Sequence, residues 1–270
     1  MTFNKILVSG CSFANGSGLH GESTNPRIWA NQLSNKLGAQ TVKNIAQTGA
    51  NNQWIFLETV SALIKDTYDL VLVEWSAIPR YKVNVGLELY TVSSMMDRDI
   101  NLVGNQTISA SWLNELKNRL LRLHNDHWDL LDLVKYVNVL IELQTKSRPG
   151  KIFFINGLGP WSDQYFVKKQ FNLPSDLDEY THTILQSDQR DDLEVFQLYN
   201  MIHNHYQEYG GIQEYHWLNL YDSQMKTKID TVSSTDSHPG YASQDLYADN
   251  FYKILRKKLN TNETSNNHTP

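Results

Sequence analysis

The chain contains a single cysteine, Cys11, among 270 residues. That excludes an internal disulfide framework and any zinc site built from several thiolates. No stretch approaches the ~20 apolar residues needed to cross a bilayer. Basic runs are absent too: 24 Lys and Arg stand against 29 Asp and Glu, a net charge of −5. Nothing therefore favours nucleic acid through phosphate neutralisation, and neither a nucleic-acid nor a membrane partner is expected. The P-loop pattern GxxxxGK[ST] does not occur, so a phosphate cradle of that kind is not expected. Met1 to Lys5 lead directly into an apolar run. That leaves no room for a signal peptide, and the expected location is the cytoplasm.

What is present is ordinary for a folded α/β chain, with 40% hydrophobic and 20% charged residues. Aromatics reach 11%, with 7 Trp and 14 Tyr, which suits a sugar-binding surface or a well-filled core equally. The informative stretch is Ile6-Leu7-Val8-Ser9-Gly10-Cys11-Ser12-Phe13-Ala14-Asn15-Gly16-Ser17-Gly18. A short apolar run stops at a glycine and is followed by small polar residues, the pattern of a buried strand ending in a tight turn. In α/β sheets, ligands bind outside the carboxyl ends of the strands. Ser12 stands just past such an end. Its hydroxyl has the setting a nucleophile needs, provided that a base arrives from elsewhere in the chain.

Further along, helical spacing over residues 27–37 ends at Gly38, and 41–46 reads as a second strand. A polar loop with a candidate N-cap precedes a helix over 53–65. Residues 69–75 are the clearest strand, apolar enough for the middle of a parallel sheet. Periodicity weakens over about 77–113. Residues 83–92 could be extended and 93–111 read as loop, which predicts an insertion over one end of the sheet. A long helix over 112–146, breaking near Asn125, leads to a strand over 151–156. An irregular stretch, a helix over 191–209 and a fifth short strand over 216–220 follow. A last loop carries Thr235-Asp236-Ser237-His238-Pro239-Gly240 before a helix over 242–259, and the polar tail over 260–270 predicts disorder. Five strands alternating with helices predict one domain over 1–259, a parallel sheet covered on both faces, with strand order 2-1-3-4-5.

That topology gathers the loops after Gly10, Ala46 and Trp75 on one edge of the sheet, within reach of His238. Pro239 and Gly240 present His238 rigidly at a helix entrance. His20, His124, His127, His182, His203 and His205 lie on polar stretches and read as surface. His203 and His205 are two apart and would not share a helix face, so no metal site is expected.

Four blocks now stand in order: Gly10-Cys11-Ser12; Gly49 with Asn51 and Asn52; the strand ending in Trp75-Ser76; and His238-Pro239. Together they resemble the blocks of the SGNH (GDSL-like) hydrolases across nearly the whole chain. In wording they are closest to divergent members met in phage genomes. The resemblance implies a flavodoxin-like three-layer α/β/α fold, Ser12 as nucleophile and His238 as general base. It also implies oxyanion donors from the Ser12 and Gly49 N–H groups and a side chain after the third strand. No cofactor is implied.

Three positions depart from the pattern. Cys11 stands where the family often has Asp, and is itself a second candidate nucleophile. Ser76 stands where the third block normally has Asn; its hydroxyl can donate one bond, and Asn51 or Asn52 could fill the gap. The family's acid usually lies three residues before the histidine, at Thr235 here, whereas Asp236 is two before. Either Asp236 orients the imidazole or a backbone carbonyl does. Arg80 is a candidate for binding an anionic or carbonyl-bearing substrate group, or for an ion pair within the insertion. Trp75 reads as packing, and Trp161 as crevice lining or core closure. The expectation is a serine hydrolase of an O-acyl group on a carbohydrate or of a small acyl ester. Its rival is an SGNH-fold binding or structural protein with little catalysis, such as a phage component. Oligomeric state has no signal in the sequence.

Overall fold

The computed structural model describes residues 3–77, 81–85, 88–92, 100–101, 107–108, 111, 115, 126–145, 150–158, 214–219 and 223–265. Four parallel strands form the main sheet: β1 (Lys5–Ser9), β2 (Thr41–Asn44), β3 (Leu70–Trp75) and, later in the chain, Lys151–Asn156. Between the last two come an antiparallel pair of β4 (Tyr81–Val85) with β5 (Glu88–Val92) and a two-residue pairing of β6 (Ile100–Asn101) with β7 (Thr107–Ile108), so Lys151–Asn156 is β8. Its order in space is β2-β1-β3-β8, the 2-1-3-4 part of the expected sheet. Beyond β8, Trp217 makes a single parallel bridge to Phe154, where a fifth strand was expected. A 3₁₀ turn over Glu214–His216 occupies the start of that segment.

Strand alternation divides the core in two. Leu7, Val71, Val73, Trp75, Ile152 and Phe154 face one layer, made by α3 (Asn52–Lys65) and α4 (Asp126–Thr145). Ile6, Val8, Leu70, Leu72, Phe153 and Ile155 face the other, made by α2 (Trp29–Lys36) and the last helix, α6 (Tyr241–Ser265). Two single turns, α1 (Ser12–Asn15) and α5 (Gln224–Thr227), sit at the sheet's carboxyl edge. All six residues of β3 are buried, as a central strand with helices on both faces requires. One of them is Glu74.

The insertion holds more strand than its weak periodicity suggested, since 93–111 includes the β6–β7 pairing. The tail reading changes as well: α6 runs to Ser265, into the stretch expected to be unstructured. Residues 112–114, 116–125, 159–213 and 266–270 lie outside the described residues, and with them Trp161 and the helix expected over 191–209. Among the described residues no helix is long and apolar enough to cross a membrane.

Candidate active site

The site begins where β1 ends. Gly10 lies beside Glu74 on the neighbouring strand, and a Cβ there would come 2.7 Å from the Glu74 Cβ and 3.0 Å from that of Ala14. Only glycine lets the chain turn this tightly against β3. Cys11 is extended (φ −97°, ψ −153°), and Ser12 opens α1, a turn closed by Gly16 at φ 73°. As the first residue of a helical turn, Ser12 has a backbone N–H with no intrahelical acceptor. The Ser12 side chain is buried and its Oγ has no hydrogen-bond partner among the described residues. A buried hydroxyl without a partner is costly in a structural role.

Polar side chains bind this turn to the loop after β2. Asn44 Nδ2 donates to the Ala14 carbonyl at 2.9 Å, and Asn15 Nδ2 donates to Thr48 Oγ1 at 3.0 Å and to Glu22 Oε2 at 2.9 Å. The Gln47 N–H reaches the Gly10 carbonyl at 3.1 Å, and Ala50 N–H closes a turn onto Gln47 with Gly49 at φ 76°. Gly16, Gly18 and Gly21 do spell G-x-G-x-x-G, but in the wrong context for a dinucleotide. They follow a helical turn instead of ending a strand, and they lead into a 3₁₀ turn at Glu22–Thr24.

Of the two asparagines in the second block, Asn51 caps α3, its side-chain oxygen accepting the Trp54 N–H at 2.9 Å. Asn52 Oδ1 accepts the Ser76 N–H at 2.8 Å, joining the second loop to the end of β3. Ser76 is buried, and its Oγ, like that of Ser12, has no partner among the described residues. Arg80 lies outside the described residues.

The histidine arrives from the far end of the chain on a closed loop. Val232 N–H donates to the His238 carbonyl at 2.9 Å, and Thr231 bridges Pro239. Asp230 caps α6 through the Ser243 N–H at 2.7 Å and the Ala242 N–H at 3.0 Å. Inside this frame Asp236 Oδ1 accepts the His238 N–H at 3.0 Å and lies 2.6 Å from His238 Nδ1. These contacts hold the Asp236 carboxyl below its usual range; the His238 backbone N–H is the largest cause, burial opposes it, and the imidazole adds to it. Thr235, the other position considered for an acid, is exposed, and its N–H turns to Ser233 Oγ at 3.3 Å.

Serine turn and histidine loop meet. The Phe13 ring, next to Ser12, packs edge-on against the His238 ring with centroids 6.0 Å apart. A Cβ at Gly18 would collide with Asp236 Oδ2, so the turn's far end lies against the carboxylate. Of the other histidines with described side chains, His20 is exposed, and His216 Nδ1 is 2.8 Å from the Ile152 carbonyl.

One buried acid has no counterpart in the sequence reading. Glu74 Oε1 accepts the Cys11 thiol at 2.9 Å and the Cys11 N–H at 3.3 Å. Burial pushes its carboxyl up to about 7, against the pull of the Cys11 hydrogen bonds. The signal in the sequence was a lone acid inside the apolar run Leu70-Val71-Leu72-Val73-Glu74-Trp75. Cys11 is fully buried with its thiol directed at this carboxylate, a poor setting for a nucleophile.

No protein-family model matches the chain, and no curated protein does either. Solved structures are similar at low identity. One is a psychrotrophic esterase, EstA, from Pseudoalteromonas sp., 14% identical over 95% of this chain and 99% of that one, TM-score 0.45. A second is a member of the lipolytic protein G-D-S-L family from Veillonella parvula, 13% identical over 93% and 98%, TM-score 0.41. A third is an acetyl xylan esterase from Geobacillus stearothermophilus, 12% identical over 94% and 95%, TM-score 0.43.

Proposed function

We propose that the chain is a serine ester hydrolase in which Ser12 attacks the substrate carbonyl. The observation that carries this is one juxtaposition. A buried serine hydroxyl without a partner stands at the carboxyl end of β1, and the loop bearing a His238–Asp236 pair at 2.6 Å packs against the same turn. His238 takes the Ser12 proton through Nε2, since Nδ1 faces Asp236. Asp236 fixes that tautomer and stabilises the imidazolium. Its lowered pKa keeps it ionised for the task.

The tetrahedral oxyanion would sit among the N–H groups of Ser12 and Gly49 and the Ser76 hydroxyl. Asn52 Oδ1 fixes the Ser76 backbone beside this position. Donors placed in advance at the oxyanion position are worth about 10²–10³ in rate each. Collapse of the intermediate expels the alcohol, protonated by His238. Water activated by the same imidazole then releases the acid and restores Ser12. These steps call on no metal or organic cofactor. The proposed substrates are O-acylated carbohydrates and small acyl esters.

The test is hydrolysis of p-nitrophenyl acetate and butyrate by wild type, Ser12→Ala and His238→Ala, with fluorophosphonate labelling of each. Turnover by wild type, abolished in both variants, with label on Ser12, is the expected result; a panel of acetylated sugars then defines the alcohol. Wild type that neither turns over nor labels would return the chain to the binding-protein reading.

A further inference from the structure

We propose that Glu74 is the positioning residue of this site: one carboxylate oxygen holds the residue before Ser12, and the other ties the helix that follows the histidine loop. The inference rests on the hydrolase reading above.

The geometry is specific. Glu74 points to the α2–α6 side of the sheet, because its neighbours Val73 and Trp75 face α3 and α4. Its side chain lies across the ends of two flanking strands, and glycine stands at both places. A Cβ at Gly10 would be 2.7 Å from the Glu74 Cβ, and one at Gly157 would be 2.9 Å from its Cγ. Oε1 receives both the backbone N–H and the thiol of Cys11, fixing the residue that leads into Ser12. Oε2 receives Gln224 Nε2 at 2.7 Å, in the amide orientation that also lets Gln224 Oε1 accept Trp29 Nε1 at 3.1 Å. The Gln224 carbonyl in turn accepts the Tyr247 hydroxyl, and Tyr247 lies on α6, which begins three residues after His238. One carboxylate thus connects the serine turn to the helix behind the histidine.

Stability gives no reason for this arrangement. A carboxylate at full burial costs folding free energy, and a leucine of similar volume would fill the space without that cost. What leucine cannot do is accept from Cys11. The ionised form accepts these bonds best, and burial places the carboxyl's titration at about 7. The titratable groups facing it are the Cys11 thiol from the serine turn and the Tyr247 phenol from α6. Trp29 of α2 and Gln224 of α5 face it with neutral donors.

The experiment compares wild type, Glu74→Leu and Glu74→Gln, each checked for folding by thermal melt. It reads the rate of fluorophosphonate labelling at Ser12, kcat and KM on p-nitrophenyl acetate, and the acid limb of the pH profile. Misplacing a reacting group by about 1 Å costs on the order of 10²-fold in rate. Glu74→Leu should therefore lose roughly 10- to 100-fold in labelling and kcat with little change in KM. Glu74→Gln, whose carboxamide oxygen can still accept from Cys11, should recover most of that. Wild type should lose activity more steeply below pH 7 than Glu74→Gln, which lacks one titrating group. A folded Glu74→Leu that labels at the wild-type rate overturns the inference and leaves the hydrolase standing. If Glu74→Leu does not fold, the acid limb decides, and identical limbs for wild type and Glu74→Gln overturn it. Wild type that never labels overturns the hydrolase reading and this inference with it.

Discussion

Two carboxylates at the same sheet edge differ in almost every respect. Asp236 is about one-third exposed on a polar loop, with the backbone N–H and imidazole of His238 against one oxygen. Those contacts hold it below its usual range. Glu74 is fully buried on the central strand, with two glycines opened beside it, and burial carries it up to about 7. Groups whose surroundings drive their pKa values apart are suited to different tasks. Asp236 stays ionised through the neutral range and can serve an imidazole that gains a proton. Glu74 changes charge within that range, and what it holds is the Cys11 N–H and thiol and the Gln224 side chain. In the proposed enzyme, one acid acts on the reacting histidine and the other on the frame around it.

The largest effect should come from breaking the exposed partner. Asp236→Asn keeps the shape but offers the imidazole the wrong hydrogen-bonding group, and kcat/KM should fall about 10³- to 10⁴-fold with the melting temperature little changed. A loss below tenfold on p-nitrophenyl acetate would mean that a backbone carbonyl orients His238. A second effect, of about the same size as the one that follows it, concerns the buried partner's packing. Gly10→Ala pushes a methyl group to 2.7 Å from the Glu74 Cβ, where two strands cannot separate cheaply. Urea unfolding should show a loss of about 2–3 kcal/mol. A loss under about 0.5 kcal/mol would mean that Glu74 is not pinned between β1 and its neighbours.

This contrast also explains how far the sequence could be read. Asp236 and His238 are two residues apart in one loop, so their pairing is local and stood in the sequence as one of two alternatives, beside a backbone carbonyl. The strand order was accessible for a similar reason: the apolar runs at 6–8 and 70–73 mark those two strands for the middle of the sheet. Glu74 was not accessible. A lone acid in the apolar run 70–75 was the sole hint, and its partners Cys11, Trp29 and Gln224 come from distant segments. Asn51 and Asn52 were seen as a pair, yet only the helix start separates the cap from the bond to Ser76. The β6–β7 pairing and the extension of α6 escaped because both lie in polar sequence, where hydrophobic periodicity carries no signal.

The third effect sharpens the comparison through pH. A folded pKa near 7 against an ordinary 4.5 means that the native state holds a proton that the unfolded chain releases. The stability associated with neutral Glu74 is complete below about 4.5 and is lost as pH rises through 7. At full burial the change is roughly 3 kcal/mol. Urea unfolding of wild type between pH 4.5 and 8 should show this decline, and Glu74→Gln should flatten it. A wild-type curve already flat there would place the acid in a wetter setting.

The smallest effect has the opposite sign. Asp236 is depressed in the folded state, so its stabilisation is present above the usual carboxylate range and disappears as pH falls through its folded pKa. With about one-third of its side chain exposed, solvent screening holds the contribution below about 1 kcal/mol. The difference in unfolding free energy between wild type and Asp236→Asn should therefore shrink as pH drops from 6 to 3. Over the same interval the difference between wild type and Glu74→Gln should move the other way or hold steady. If both differences shrank together, the two carboxylates would share one kind of environment, and the division of labour between orienting an imidazole and holding a turn would have no electrostatic basis.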